Sequence, residues 1–481
     1  MARTWANYGD LHLDLTGSKL RSKLESALRE AVQSGRLHPG TKLPPSRVLA
    51  TDLGIARNTV ADAYGQLVAE GWLTAHAGSG TWVSQRPGRP PEAGAAPAAV
   101  PNPRFDLRAG VPDLAAFPRG GWQAAARKAL GSAGHHLLGY PDPAGLPELR
   151  LALADYLARV RGVAASPERV VVCGGFTHAI ALLYQVLRAR GARALAVEAY
   201  GHDHHRRVVA GNGLCPHPLP VDDGGARPDA LAGARRARIG AVVLTPAHQF
   251  PLGVTLLPER RRAFAEWASR AGGFVIEDDY DGEFRYDRQP VGAMQALAPE
   301  HVVYAGTASK SLVPGLQLGW LVVPVRLRDE LIAAKEASGS LVSALDQLTL
   351  AEFIGSGAYD RQIRHARLAY RRRRDRLVVT LAQQAPEVAV TGISAGLQAL
   401  VRLPAGWRED EVVASATQRG VAVSGLAGYQ AAAPAGAAPR QPVEALVVGY
   451  ARPPEHAFTA ALARLCAVLA FTGHHQPCTP H

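Results

Sequence analysis

The feature that most restricts this chain is a series of short apolar runs separated by stretches of helical period. The runs are RVVVCG (169–174), ALAVE (194–198), AVVLTP (241–246), GFVIED (273–278), HVVYAG (301–306) and LGWLVVP (318–324). Strands buried on both faces read as continuous apolar runs, and strands alternating with helices build a largely parallel sheet. Residues 105–470 are therefore expected to form an α/β domain. With 481 residues, the chain has room for more than this one domain.

Ahead of it, residues 12–84 have another character. Leu20, Leu24, Leu28 and Val32 recur at helical spacing, with Thr16 or Ser18 as a cap and Gly35 as a stop. LPPSRVLATDLG, with Ser46 as a cap, and IARNTVADAYGQLVAEGWL give two more helices. WLTAHAGSGTWV reads as two strands around a Gly-Ser-Gly turn, so the segment describes a winged helix-turn-helix. Residues 85–104 are rich in Pro and Ala and form a linker, able to reach roughly 60 Å at about 3.1 Å per residue. Residues 471–481 are expected to be a disordered tail.

Bulk charge does not locate a partner. The net charge is +12, and residues 1–104 carry 12 Lys+Arg against 8 Asp+Glu, so the excess is spread along the chain, with a dense run at Arg371–Arg374. Cys173, Cys215, Cys466 and Cys478 are too widely spaced for a zinc or disulfide framework. No apolar run reaches a membrane-spanning length of roughly 18 residues, and the N-terminus lacks a secretory apolar core. The expectation is a cytoplasmic protein with reduced thiols and no membrane partner.

In a helix-turn-helix, the first residues of the second helix meet base edges in the major groove. Here those are Arg57, Asn58 and Thr59, preceded by Ala56. Arg pairs with guanine and Asn with adenine. Thr59 can reach a phosphate or a thymine methyl, and Arg47 can meet phosphate from the preceding helix. Gly78 and Gly80 let the wing backbone approach the minor groove.

The second group of candidates sits at strand ends, where open α/β sheets bind ligands. Lys310 follows HVVYAG. In a dry pocket its amine would have a lowered pKa and could form an imine with an aldehyde cofactor. Thr307 and Ser309 could bind a phosphate beside it. In GFVIEDDYDGEF, one carboxylate could keep a pyridine nitrogen protonated and Tyr280 could bond the ring's phenolic oxygen. Glu277, Asp278 and Asp279 could instead hold Mg²⁺, although no companion ligands are evident. Gly175, Phe176 and Thr177 offer backbone N–H groups at a helix N-terminus, a phosphate site. His202, His204 and His205, with Asp203 between, lack structured metal-ligand spacing and read as a polar rim, so no metal is expected.

Taken together, PPSRVLATDLGIARNTVADAYGQLVAEGWL, LRAGVPDLAAFPRGGW, YPDPAGLPELRLALADYL, LTPAHQFPLGVTLLPERRRAF, IEDDYDGEFRY and GTASKSLVPG resemble the MocR-type subfamily of GntR-like transcription regulators. The likeness covers residues from about 16 to 470. It implies a GntR-like winged helix joined to a fold type I aminotransferase-like domain. It implies pyridoxal 5′-phosphate (PLP) as cofactor, with Lys310 forming the internal aldimine. Asp278 would face the pyridine nitrogen, with Asp279 the one-residue alternative, and Tyr280 the O3′ side. His248 and Gln249 would lie near the ring. A homodimer binding a double-stranded DNA operator is also implied.

Three departures stand out. Gln317 occupies the position of a phosphate-binding arginine, losing a bidentate charged contact. Val447 stands where the family often places a substrate-carboxylate arginine, with Arg452 nearby but out of register. EAYGHDHHR replaces an acidic-Pro-Gly-Tyr stretch. The expected function is a regulator that senses a small amine, an amino acid or PLP itself. The alternatives are an active aminotransferase with an attached DNA reader and a regulator that has lost the cofactor.

Overall fold

The structure, a computed structural model, describes residues 19–76, 78–84, 103–286, 291–432 and 443–474. Contacts divide the chain into two compact units, Met1–Pro101 and Asn102–His481.

The first unit contains α1 (Leu20–Gln33), α2 (Ser46–Leu53) and α3 (Arg57–Ala69), followed by β1 (Leu73–His76) and β2 (Gly80–Val83). The two strands pair antiparallel, Leu73 opposite Val83 and His76 opposite Gly80. Leu24, Leu28 and Ala31 of α1 are buried against Val60, Ala63, Tyr64 and Leu67 of α3. That is the i, i+4, i+7 stripe expected of an amphipathic helix. Ser46 does not cap α2. Pro45 holds the extended cap position, so Ser46 becomes the first helical residue, and no side-chain cap forms. The proposed caps Thr16 and Ser18, and residues 85–102 of the linker, lie outside the described residues.

The second unit is built on a seven-stranded sheet. Its spatial order is 170–173, 319–322, 302–307, 274–278, 239–244, 194–198 and 215–219. Strand 319–322 runs antiparallel to both neighbours, and the other pairings are parallel. The six expected strands are present. The seventh, Cys215–Leu219, reads CPHPL and was not anticipated. Its prolines are tolerated because it is an edge strand, where a missing N–H breaks no interior ladder.

Helices cover both faces. Val171, Leu195, Ile276, Val303 and Leu321 pack against helices Gly175–Ala189 and Val325–Ala337 through Leu183, Leu187, Leu327 and Leu331. Val242, Val275 and Val302 point the other way, onto Phe264 and Ala268 of helix Pro258–Ala271. This period-2 division is the pleat of a strand buried on both sides.

The C-terminal subdomain carries a four-stranded sheet, ordered 389–391, 398–402, 445–449, 424–425. The long helix Ala358–Gln384 and helix Glu455–His474 pack beside it. The last helix continues through His474, past the expected start of the tail at 471. Its apolar side chains, among them Phe458, Leu465 and Leu469, are buried in the subdomain core and hold it helical.

Candidate functional site: a strand-end cavity with a half-buried lysine and an unpartnered carboxylate

A cavity of about 330 Å³ opens at the C-terminal ends of the parallel strands. Its walls come from successive strand ends: Gly174–Thr177 after 170–173, Glu198 on 194–198, Thr245 after 239–244, Asp278 on 274–278, and Thr307, Ser309 and Lys310 at the end of 302–307. The parallel topology brings these distant sequence positions to one side of the sheet.

Lys310 Nζ donates a hydrogen bond to the Gly110 carbonyl at 2.5 Å. Burial lowers the pKa of this amine, while Asp278 and Asp281 pull it upward. Desolvation disfavours the ammonium form, which raises the share of nucleophilic free amine.

The acidic turn separates into distinct roles. Asp278 is buried, and its Oδ1 has no hydrogen-bond partner among the described residues. Burial pushes its carboxyl well above the usual range, against the pull of Lys310. Asp279 faces away. Arg161 grips it twice, Nε to Oδ2 at 2.7 Å and Nη2 to Oδ1 at 2.9 Å, and Tyr304 donates to it at 2.8 Å. Glu277 accepts from the backbone N–H groups of Met294 and Gln295. Only Asp278, of these three, reaches the cavity.

Tyr280 also lines the cavity. Its hydroxyl donates to the His248 carbonyl at 3.2 Å and accepts from Gln398 Nε2 at 3.0 Å. His248 and Gln249 do not line the cavity. His248 is buried behind the wall with Nδ1 2.7 Å from Asp281 Oδ2. Gln249 spends its amide on the carbonyls of Tyr200 and Phe250, at 2.9 and 2.6 Å. The residue that reaches the cavity from this loop is Phe250. The Gln249 bonds turn the loop so that the next side chain, not its own, points inward.

Gly175 opens its helix at φ +82°, a conformation that L side chains rarely adopt. With Phe176 and Thr177 it borders the cavity beside Ser309 and Thr307. Thr307 Oγ1 donates to Ser309 Oγ at 2.9 Å. Gln317 adopts φ +50° and donates to the Pro314 carbonyl at 2.9 Å, still bordering the cavity. Val447 is fully buried with Leu400, Leu426 and Ala445, and Arg452 is held by Asp106 at 2.9 Å.

The histidine segment forms part of the wall. His202 stacks on Phe250 with ring centroids 4.1 Å apart, and His205 meets Phe176 at 5.1 Å. Burial pushes their pKa values down to about 4 and about 3. Among the described residues, no group of three or more His, Cys, Asp or Glu side chains is arranged to hold a metal.

Two wall residues escaped the sequence reading. Glu198 accepts from Thr245 Oγ1 at 2.5 Å, and burial pushes its pKa up to about 7. An acid closing the run ALAVE, as Asp278 closes GFVIED, was the available signal. Arg206 donates to the Gly201 and Tyr429 carbonyls, both at 3.2 Å. Nothing in the sequence separates it from its neighbour Arg207.

In the first unit, Arg57, Asn58 and Thr59 are the first three residues of α3, and Arg57 and Asn58 are exposed. Arg47 is exposed on α2, and Gly80 stands at the turn of the hairpin with φ +109°. Lys42, also unanticipated, packs over Trp82 of the wing with Nζ 5.2 Å from the ring centroid.

The family model for bacterial regulatory proteins of the gntR family matches residues 20–83, and that for aminotransferase class I and II matches residues 105–435. The chain is 33% identical to the HTH-type pyridoxine biosynthesis transcriptional regulator PdxR of Corynebacterium glutamicum, over 86% of this chain and 89% of that one. It is 32% identical to the probable rhizopine catabolism regulatory protein MocR of Rhizobium meliloti, over 90% of each. The chain belongs to the MocR-type subfamily of GntR-like transcription regulators. Among solved structures, an archaeal alanine:glyoxylate aminotransferase superposes with a TM-score of 0.68 at 25% identity, over 76% of this chain and 91% of that one.

This MocR-type chain thus joins a GntR-type DNA-binding domain to a fold type I aminotransferase-like domain. The aminotransferase fold implies PLP binding, and the residues at the cavity fit that group. A buried carboxylate oxygen lacks a partner, and a desolvated amine borders the same space. None of the described helices is long and apolar enough to cross a membrane.

Proposed function

We propose that this MocR-type protein is a PLP-dependent transcription regulator. A small amine, an amino acid or PLP itself, bound in the large domain, changes the affinity of the winged helix for its operator. The observation that carries the reading is that the Lys310 amine and the unpartnered Asp278 Oδ1 border one cavity. When bound, PLP supplies an electrophilic aldehyde and an electron-withdrawing ring. Lys310 is the nucleophile that holds the aldehyde. Asp278 keeps a proton on the ring nitrogen, and Tyr280 bonds the phenolic oxygen. The N–H groups of Gly175, Phe176 and Thr177, with the hydroxyls of Thr307 and Ser309, receive the phosphate. Gln317 contributes a neutral amide there.

Signalling requires that the effector bind two states of the protein unequally. The apolar setting of Val447 argues against an enzyme that turns over amino acids, because no guanidinium stands there to hold a carboxylate. We further propose a cytoplasmic homodimer reading paired half-sites. Leu130, Leu138 and Leu345 are exposed on elements that pack together, and Tyr140 is exposed just beyond them, an apolar surface suited to a second copy.

The visible spectrum of the purified protein, before and after adding PLP, tests the cofactor claim. An absorption band from bound cofactor is expected, and the Asp278→Ala variant should bind PLP more weakly. A colourless protein that takes up no PLP would overturn the reading. For the reader domain, Arg57→Ala is expected to weaken operator binding by about 1–3 kcal/mol. Unchanged affinity in a gel-shift titration would refute this placement of α3.

A further inference from the structure

The helix Ala358–Gln384 carries eight arginines and two aspartates, a net of +6. The chain has a net charge of +12, of which residues 1–104 supply +4. This one helix therefore holds most of the positive excess outside the reader domain. Arg373 is buried, bonded to Asp113 and Glu455, and serves the fold. The others are distributed unevenly. Arg361, Arg364, Arg371, Arg372 and Arg376 are exposed. At 3.6 residues per turn they fall within about two-fifths of the helix circumference and extend along about 22 Å of its axis.

Little on this face neutralises them. Asp360 is engaged by Arg159 at 2.8 Å, and Asp375 lies 3.9 Å from Arg371. Glu455, near Arg372 and Arg376, is bonded to the buried Arg373. The side chains of Arg364 and Arg372 make no hydrogen bond or ion pair among the described residues.

We propose that this arginine face is a second DNA contact, which grips the phosphate backbone of duplex outside the stretch read by α3. Planar guanidinium groups suit phosphate oxygens, and a strip of this length faces several phosphates of one strand. It would supply affinity and no sequence preference, since phosphate contacts carry no base information. The inference rests on the reading of this chain as a DNA-binding regulator. That reading favours DNA over an anionic membrane as the partner.

The test uses the full-length, PLP-loaded protein and a fluorescent 60-base-pair duplex of random sequence, titrated at several salt concentrations. Each phosphate contact adds about 0.9 to the slope of log K against log salt. Changing Arg361, Arg364, Arg371 and Arg372 together to Gln is expected to lower that slope by about 3, and to weaken binding at least tenfold near 0.1 M salt. Arg57→Ala, on α3, should change the slope by about 1 or less. Changing the same four arginines to Lys keeps the charges and should retain most of the slope, which a merely structural role would not predict. An unchanged slope in the Gln variant, with its cofactor band intact, would overturn the proposal. So would loss of binding only to anionic phospholipid vesicles. Failure of the unmodified protein to bind any duplex would instead refute the DNA-binding reading itself.

Discussion

Replacing Lys310 with alanine is expected to abolish covalent capture of PLP completely. Lys310 is the only lysine lining the described cavity. Its amine is half-buried in the cavity wall, and that burial lowers its proton affinity. No neighbouring group can substitute. Arg206 is bound to backbone carbonyls, and His202 is stacked on Phe250. Treatment with PLP and borohydride fixes a lysine-bound aldehyde irreversibly, so the protein's mass reports the outcome. One PLP-derived adduct per chain, mapping to the peptide containing Lys310, is expected for the unmodified protein, and none at that peptide for Lys310→Ala. Because the phosphate and ring contacts remain, the variant should still bind PLP reversibly, though at least about tenfold more weakly, a loss of ~1.4 kcal/mol. Equal labelling elsewhere in the variant would remove Lys310 from the proposed role.

The second large effect concerns stability. Arg161→Ala is expected to destabilise the large domain by about 3–5 kcal/mol, the cost of stranding one member of a buried ion pair. Arg161 and Asp279 are both almost wholly shielded from solvent, 5% and 0% exposed at their side chains, so water cannot replace the lost contact. The guanidinium also donates to the Gly282 carbonyl at 3.1 Å, which holds the turn just past Asp278 and Tyr280. After its removal, Tyr304 alone would remain to satisfy the Asp279 carboxylate. Denaturant unfolding monitored by fluorescence measures the change. Replacing both partners together, Arg161→Met with Asp279→Leu, should recover most of the loss, because a buried pair exchanged for apolar groups leaves no stranded charge. A single-variant cost below about 1 kcal/mol would contradict this account.

These two residues also mark how far the sequence could be read. The strand-end position of Lys310 was legible because it follows an apolar run that reads as a buried strand, and strand ends of such sheets face the ligand side; the cofactor role proposed for it came from the family resemblance. The winged helix was legible for a similar reason: its apolar spacing and its Gly-Ser-Gly turn are local signals. Asp278 was legible only to within one residue, since EDDYD has acids at adjacent positions and no period to sort them. The strand Cys215–Leu219 was hidden by prolines that its edge location tolerates. The inward turn at Phe250, in place of His248 and Gln249, depended on hydrogen bonds to distant backbone that no local pattern encodes.

Local periodicity and turn chemistry in the sequence by themselves determined the two domain types, the order of strands along the chain and the strand-end position of Lys310. The tertiary structure alone decided which acid meets the cavity. In a pleated strand neighbouring side chains leave on opposite faces, so Glu277 and Asp279 are turned to internal partners while Asp278 is delivered to the cavity. That assignment depends on Arg161, more than a hundred residues earlier in the chain, and on backbone N–H groups contributed after the strand. Such partners come within reach only when the chain packs.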